Sequence, residues 1–213
     1  MKTKLFSTLF ILLFSASFAM AQTTDRTKIS FAVIGGLNFQ NLNGKTADGS
    51  KLENDMLLGY HAGVNVQIPI APEFYFQPGL LYSVKGAKNT YTFLGTDYVS
   101  TTKINYIEMP LNLVYKALLG KGFIMLGFGP YVGYVIGGKS TLEGGSVTIE
   151  EDLIYKDFDA GANLFAGYEM ANGLFLQLDT QFGMLNINPE NTDQNNEATT
   201  KNTGFGLSLG YRF

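Results

Sequence analysis

The 213-residue chain contains no cysteine and only one histidine, His61. The missing cysteine excludes disulfides, thiolate-held metals and a cysteine nucleophile. Charge is also scarce: 15% of residues are charged, against roughly a quarter in a soluble domain. Much of the surface is therefore expected to face something other than water. There is no basic excess, since the net charge of −3 falls to −5 once Lys2 and Lys4 are set aside. Nucleic-acid binders need a basic face, so that class of partner is excluded. Beyond Ala21 no stretch reaches the roughly 18 apolar residues of a membrane-spanning helix.

What is present begins with Met1-Lys2-Thr3-Lys4, an apolar run from Leu5 to Phe18, and Ala19-Met20-Ala21 before Gln22. A basic start, a short apolar core and an A-x-A ending are the parts of a secretory signal peptide. Residues 1–21 are read as that peptide and 22–213 as one domain. Gln22 is not a lipid-accepting cysteine.

Eight segments of the expected domain alternate with period two, as strands do when each face meets a different environment. The first sets Phe31, Val33, Leu37 and Phe39 against Ala32, Gly36, Asn38 and Gln40. The second sets Leu58, Tyr60, Val64 and Val66 against Gly59, His61, Asn65 and Gln67. In the third, Phe76, Leu80, Tyr82 and Val84 oppose Gln77, Ser83 and Lys85; in the fourth, Ile107, Met109 and Leu111 oppose Glu108, Pro110 and Asn112. Pro110 has no N–H to give the ladder, so an irregularity is expected there. The fifth runs from Ile124 to Ile136, the sixth over 157–169, the seventh over 174–184 and the last over 203–213.

Long polar links are expected at about 41–55, 88–102, 138–152 and 188–201, alternating with short ones at 69–73, 116–122 and 171–173. This alternation predicts an all-β, eight-stranded antiparallel up-and-down transmembrane β-barrel, with four long outer loops and both ends on the short-turn side. One face is nearly unbroken Leu, Ile, Val, Phe and Tyr, more than a small barrel interior could hold, and it is assigned to lipid. A closed barrel also pairs every backbone group, as hydrocarbon demands. The aromatics Phe39, Phe74, Tyr82, Tyr115, Tyr134, Tyr168 and Tyr211 lie near strand ends, where interfacial girdles would place them. A soluble barrel enclosing a ligand is the competing architecture.

Five motifs, GYHAGVNVQIPI (59–70), FYFQPGLLYSVKGAK (74–88), YIEMPLNLVYK (106–116), GFGPYVGYVIGG (127–138) and the closing LGYRF, resemble in order the PorT-like, "porin family" outer-membrane β-barrel domain. The resemblance covers nearly the whole expected domain. It implies an eight-stranded outer-membrane barrel, generally without an assigned activity. One namesake works with a secretion system.

The polar face carries the candidate site residues: His61, Lys85, Glu108, Asp157, Asp159, Glu169, Asp179 and Arg212, read as a hydrogen-bonded, ion-paired interior network. A Ser-His-Asp hydrolase would need His61 beside an accessible serine, but Ser83 and Ser208 share its inward parity. A buried structural histidine is the expectation. Asp157, Asp159 and Asp179 could instead gather around Ca²⁺, though neutralisation by Lys85 and Arg212 is preferred. Glycine pairs such as Gly35-Gly36 open no helix, so they are read as relief of crowding in a curved wall rather than as phosphate loops. The ending Phe205-x-Leu207-x-Leu209-x-Tyr211-x-Phe213 looks like the signal read by the barrel-assembly machinery. No cofactor is expected. The expected partners are outer-membrane lipid, lipopolysaccharide and that machinery, with the partner of the loops unidentified. The sequence thus predicts a non-enzymatic outer-membrane protein acting through its outer loops. The alternatives are a lipid-modifying enzyme and a small-solute or secretion-associated barrel.

Overall fold

The computed structural model describes residues 28–93, 95–144, 147–152, 155–188 and 198–213. The signal-peptide segment lies outside them. Nine strands occur among the described residues: β1 (Ser30–Lys45), β2 (Asp55–Ala71), β3 (Phe74–Phe93), β4 (Thr96–Leu119), β5 (Gly122–Gly144), β6 (Val147–Asp152), β7 (Phe158–Glu169), β8 (Leu174–Gly183) and β9 (Thr199–Arg212). Eight form a ring in the order β4-β3-β2-β1-β9-β8-β7-β5, closed by pairing of β4 with β5. Every pairing is antiparallel, and Ala32 opposite Arg212 joins the first strand to the last.

The short links are as tight as the sequence implies. β2 and β3 are separated only by Pro72 and Glu73, and β4 and β5 by Gly120 and Lys121. At 170–173 the turn closes through Met170 and Gly173, whose φ of 88° suits glycine. Ser30 and Arg212 lie at this end of the ring.

The long links differ from expectation. Segments 88–102 and 138–152 are mostly strand: β3 runs on to Phe93 and returns as β4 from Thr96, while the outer half of β5 pairs with the additional strand β6. These stretches hold Thr90, Tyr91, Tyr98, Val99, Thr101, Thr141 and Ile149. β-branched and aromatic residues without proline favour pairing over an irregular loop. The result is an antiparallel extension of β3, β4, β5 and β6 beyond the ring's outer rim.

Side-chain parity sorts the faces. Along β5, Ile124, Leu126, Phe128, Val132, Tyr134 and Ile136 are exposed, while Met125 and Tyr131 are buried. From Ile124 to Ile136 the strand covers about 40 Å, or about 30 Å of barrel height at a tilt near 40°. That spans a hydrocarbon band of about 25 Å with its girdles. Near the outer rim Tyr60 packs on Tyr82 and Tyr134 on Phe158. Near the short turns Phe74 packs on Tyr115 and Tyr211 on Phe213.

Register shifts interrupt the ladder at Met56/His61, Pro69/Ala71 and Asn105/Tyr106. Val84, lipid-facing by parity, is buried beside the register shift of β2 and β3 between Met56 and His61. At Pro110 there is no slip: pairing of β3 with β4 skips Gly79 and Leu80 and resumes in register, and the β4–β5 shift falls at Asn105/Tyr106. The proline omits a donor without adding a residue.

The interior is also less polar than expected. One buried cluster towards the short turns comprises Ala32, Ile34, Tyr75, Val114, Met125, Phe165 and Phe175. A second, towards the outer rim, comprises Leu42, Ala87, Ile104, Tyr106 and Ile187. Glycine makes room for the large rings: a Cβ on Gly127 would stand 2.2 Å from the Phe165 ring.

Candidate functional site

The inward charged side chains and His61 lie in three groups along the inside of the ring. The outermost centres on Lys85 of β3, whose ammonium contacts the Glu108 carboxylate of β4 and lies 3.6 Å from Asp159 Oδ2 of β7. Tyr131 donates to Asp159 Oδ2 at 3.0 Å, and Asn202 donates to the same atom at 2.9 Å. The Lys85 ammonium also sits 4.4 Å from the Tyr131 ring centre. One cation thus serves two fully buried carboxylates, and the ring faces and neutral donors share the load.

At the short-turn end Glu169 of β7 is held between Lys116 at 2.6 Å and Arg212 at 3.0 Å. Arg212 reaches on to Asn65 Oδ1 at 3.2 Å and Gln77 Oε1 at 3.3 Å. Gln67 donates to Gln77 Oε1 at 2.8 Å. The guanidinium is well used here because its fork serves several acceptors at once.

Between them lies His61 of β2. Its Nδ1 meets Asn38 Oδ1 of β1, and its Nε2 is 2.8 Å from Ser208 Oγ of β9. Ser208 donates to Asp179 Oδ1 of β8 at 3.0 Å. Asn38 Nδ2 points to Ser83 Oγ at 3.3 Å and Val84 O at 3.5 Å. This chain borders a cavity of about 50 Å³ that Glu108, Pro110 and Asn163 also line. Such a volume suits water-sized occupants. It is far too small for a lipid or a peptide.

Of the predicted network, His61, Lys85, Glu108, Asp159, Glu169, Asp179 and Arg212 project into the ring, but as three groups rather than one. Asp157 does not join them. It is exposed and lies just before β7, where its carbonyl accepts from Val135 N. Asp179 pairs in register with Phe165, six residues along β7 from Asp159, so the three aspartates do not gather. Arg212 serves Glu169 rather than the aspartates. Lys116, expected in a turn, is a buried interior cation at the end of a longer β4. Its parity with Asn112 and Val114 was the available signal. Nothing in one strand's pattern marks Asn202 or Tyr131 as partners of Asp159.

On the final strand Phe205, Leu207 and Leu209 are exposed on the apolar face. Phe205 stacks on Phe39 at 5.0 Å. Beyond the rim, Tyr91 and Tyr98 stack across β3 and β4 at 5.6 Å. On the other face of this extension Lys139 pairs with Glu150, which holds the ammonium above its ordinary range. A polar hollow of about 480 Å³ near the rim is lined by Asn41, Asn43, Lys51, Glu53, Asn54, Asp55 and Thr90, together with Leu52.

A closed antiparallel ring with an apolar outside and a packed, ion-paired inside is the form of a membrane-spanning barrel. The family described as "Outer membrane protein beta-barrel domain" matches residues 20–188. The chain belongs to this family. Membership places this outer-membrane barrel protein in the bacterial envelope, at the outer membrane. No curated protein matches the chain. Among solved structures it is similar to Ail, the attachment invasion locus protein of Yersinia pestis, with 11% identity over 87% of this chain and 98% of that one and a TM-score of 0.38. It is similar to Neisserial surface protein A, with 15% identity over 87% and 97% and a TM-score of 0.39. The N-terminal barrel domain of Pseudomonas aeruginosa OprF gives 12% identity over 86% and 97% and a TM-score of 0.34. Likeness at this level adds no weight, and the family match and the ring closure carry the assignment.

Proposed function

We propose that this barrel is a non-enzymatic outer-membrane protein that works through its outer extension, its lumen closed to solutes. The packing of the interior carries the reading. Apolar clusters packed level with the outer and short-turn ion-paired groups fill both ends of the interior, and the cavity beside His61 and Ser208 holds about 50 Å³. An eight-stranded ring has room for side chains but not for a channel. A serine–histidine contact beside so small a cavity has no room for an acyl chain, which disfavours the lipid-modifying alternative. Chemistry available to a partner lies instead on the β3–β6 extension and the hollow at its base.

In the same reading, residues 1–21 direct export. Outward-facing Phe205, Leu207 and Leu209, with Tyr211 and Phe213, present the final strand to the assembly machinery. Lipopolysaccharide surrounds the outer girdle. The ordered motifs support a PorT-like subtype.

The deciding experiment is planar-bilayer conductance of the refolded protein, with lipid A mass spectra of cells with and without it. No steady conductance and identical spectra are expected. An ohmic pore, or a lipid A species that appears with the protein, would overturn the reading.

A further inference from the structure

We infer that the chain Asp179–Ser208–His61, inside the ring and only partly buried at Asp179, is a proton-binding site that keeps one exchangeable proton, and that this proton makes the barrel interior electrically neutral. The hydrogen bonds are sufficient to count it. Val84 O can only accept, so the Asn38 amide nitrogen faces it and Asn38 Oδ1 is the atom turned to His61. Nδ1 of His61 must therefore carry hydrogen. Ser208 Oγ lies 2.8 Å from Nε2 and 3.0 Å from Asp179 Oδ1, yet a hydroxyl has one proton to give.

Both short contacts are satisfied in two arrangements. In the first, an imidazolium donates from Nε2 to Ser208, which donates to the Asp179 carboxylate. In the second, a protonated Asp179 donates to Ser208, which donates to neutral Nε2. The two differ only in where a proton sits along the chain, and both leave His61 and Asp179 together uncharged. Removing that proton sets two bare acceptors against each other across one of the contacts.

The charge count agrees. Among the described residues, Lys85, Lys116 and Arg212 project into the ring, opposed by Glu108, Asp159 and Glu169. Those six cancel. Glu108 of β4 is the other carboxylate lining the relay's cavity, and Lys85 of β3 already holds it. Among the described residues no further inward cation balances a bare Asp179, and an unpaired charge inside a membrane-embedded ring is costly. The retained proton is the balancing charge.

The test is a proton count on folding. Unfolded histidine loses its proton above about pH 6.5. The native relay keeps it there, so folding takes up a proton. Stability is then fully present below that pH and weakens about tenfold per pH unit above it. In Asp179→Asn the amide donates to Ser208, Ser208 donates to neutral His61, and no proton is needed. Unbuffered refolding into detergent micelles at pH 8 should take up one proton more for wild type than for D179N. Equal uptake overturns the proposal. A double-mutant cycle gives a second readout. His61→Ala should weaken folding at least tenfold more in the wild-type background, where it strands Asp179, than in D179N. Equal effects again overturn it. If H61A does not fold, the proton count on D179N decides.

Discussion

Two residues show how tightly the interior is built. A Cβ on Gly36 would stand 2.8 Å from His61 Cε1 and 2.2 Å from Leu207 O. The backbone oxygen cannot move aside, so Gly36→Ala should cost about 1–3 kcal/mol, read as a lower urea midpoint for the barrel in micelles. Lys85 is the second case. Lys85→Met leaves Glu108 and Asp159 buried without their cation, and a loss of about 3–5 kcal/mol is expected. Neutralising the acids as well, in K85M/E108Q/D159N, should recover most of it. A triple variant no more stable than K85M would show that the lysine acts through packing alone. At this scale the sequence was legible in part. Inward parity placed His61, Lys85, Glu108 and Arg212, because strand alternation dictates direction wherever the ladder is regular. It misplaced Asp157, since parity carries no meaning once the strand has ended and β7 begins only at Phe158.

Among the elements, the ring and the extension obey different constraints. Within the membrane a strand cannot stop, because unpaired backbone has no water to bond to. Beyond the rim that penalty disappears, and side-chain preference decides whether pairing continues. The tip of the β3–β4 hairpin, Asn89 to Ser100, should therefore be dispensable for the ring. Replacing it by an Asn-Gly turn between Lys88 and Thr101, which already face each other, should leave the unfolding free energy, read from urea titration in micelles, within about 0.5 kcal/mol of wild type. A large loss would mean that the extension braces the barrel. The exposed Lys139–Glu150 pair should likewise contribute little to stability, and less at high salt. Link lengths were legible from polarity, whereas the persistence of β-structure through 88–102 and 138–152 was not. Threonine and tyrosine read as loop residues by polarity and as strand residues by shape, and cross-strand partners settle the matter.

For the whole molecule, a closed ring with a packed inside predicts compact behaviour in detergent. Unboiled protein should migrate faster than boiled protein on a gel, and it should stay with washed outer membranes through high salt and carbonate. A protein released by carbonate, with no shift on boiling, would contradict a membrane-spanning barrel. The amino-acid sequence by itself determined the period, the eight ring strands, their apolar outer face and the polarity of the inner one. These are local properties, set by where each side chain points and which solvent it tolerates. Only the tertiary structure decided which inward residues meet. Closure and stagger of the ring bring His61 to Ser208, Asn202 to Asp159, and Glu169 between Lys116 and Arg212. Each of these contacts reaches over one intervening strand of the ring between distant parts of the chain, and no single strand's pattern encodes the register that creates it.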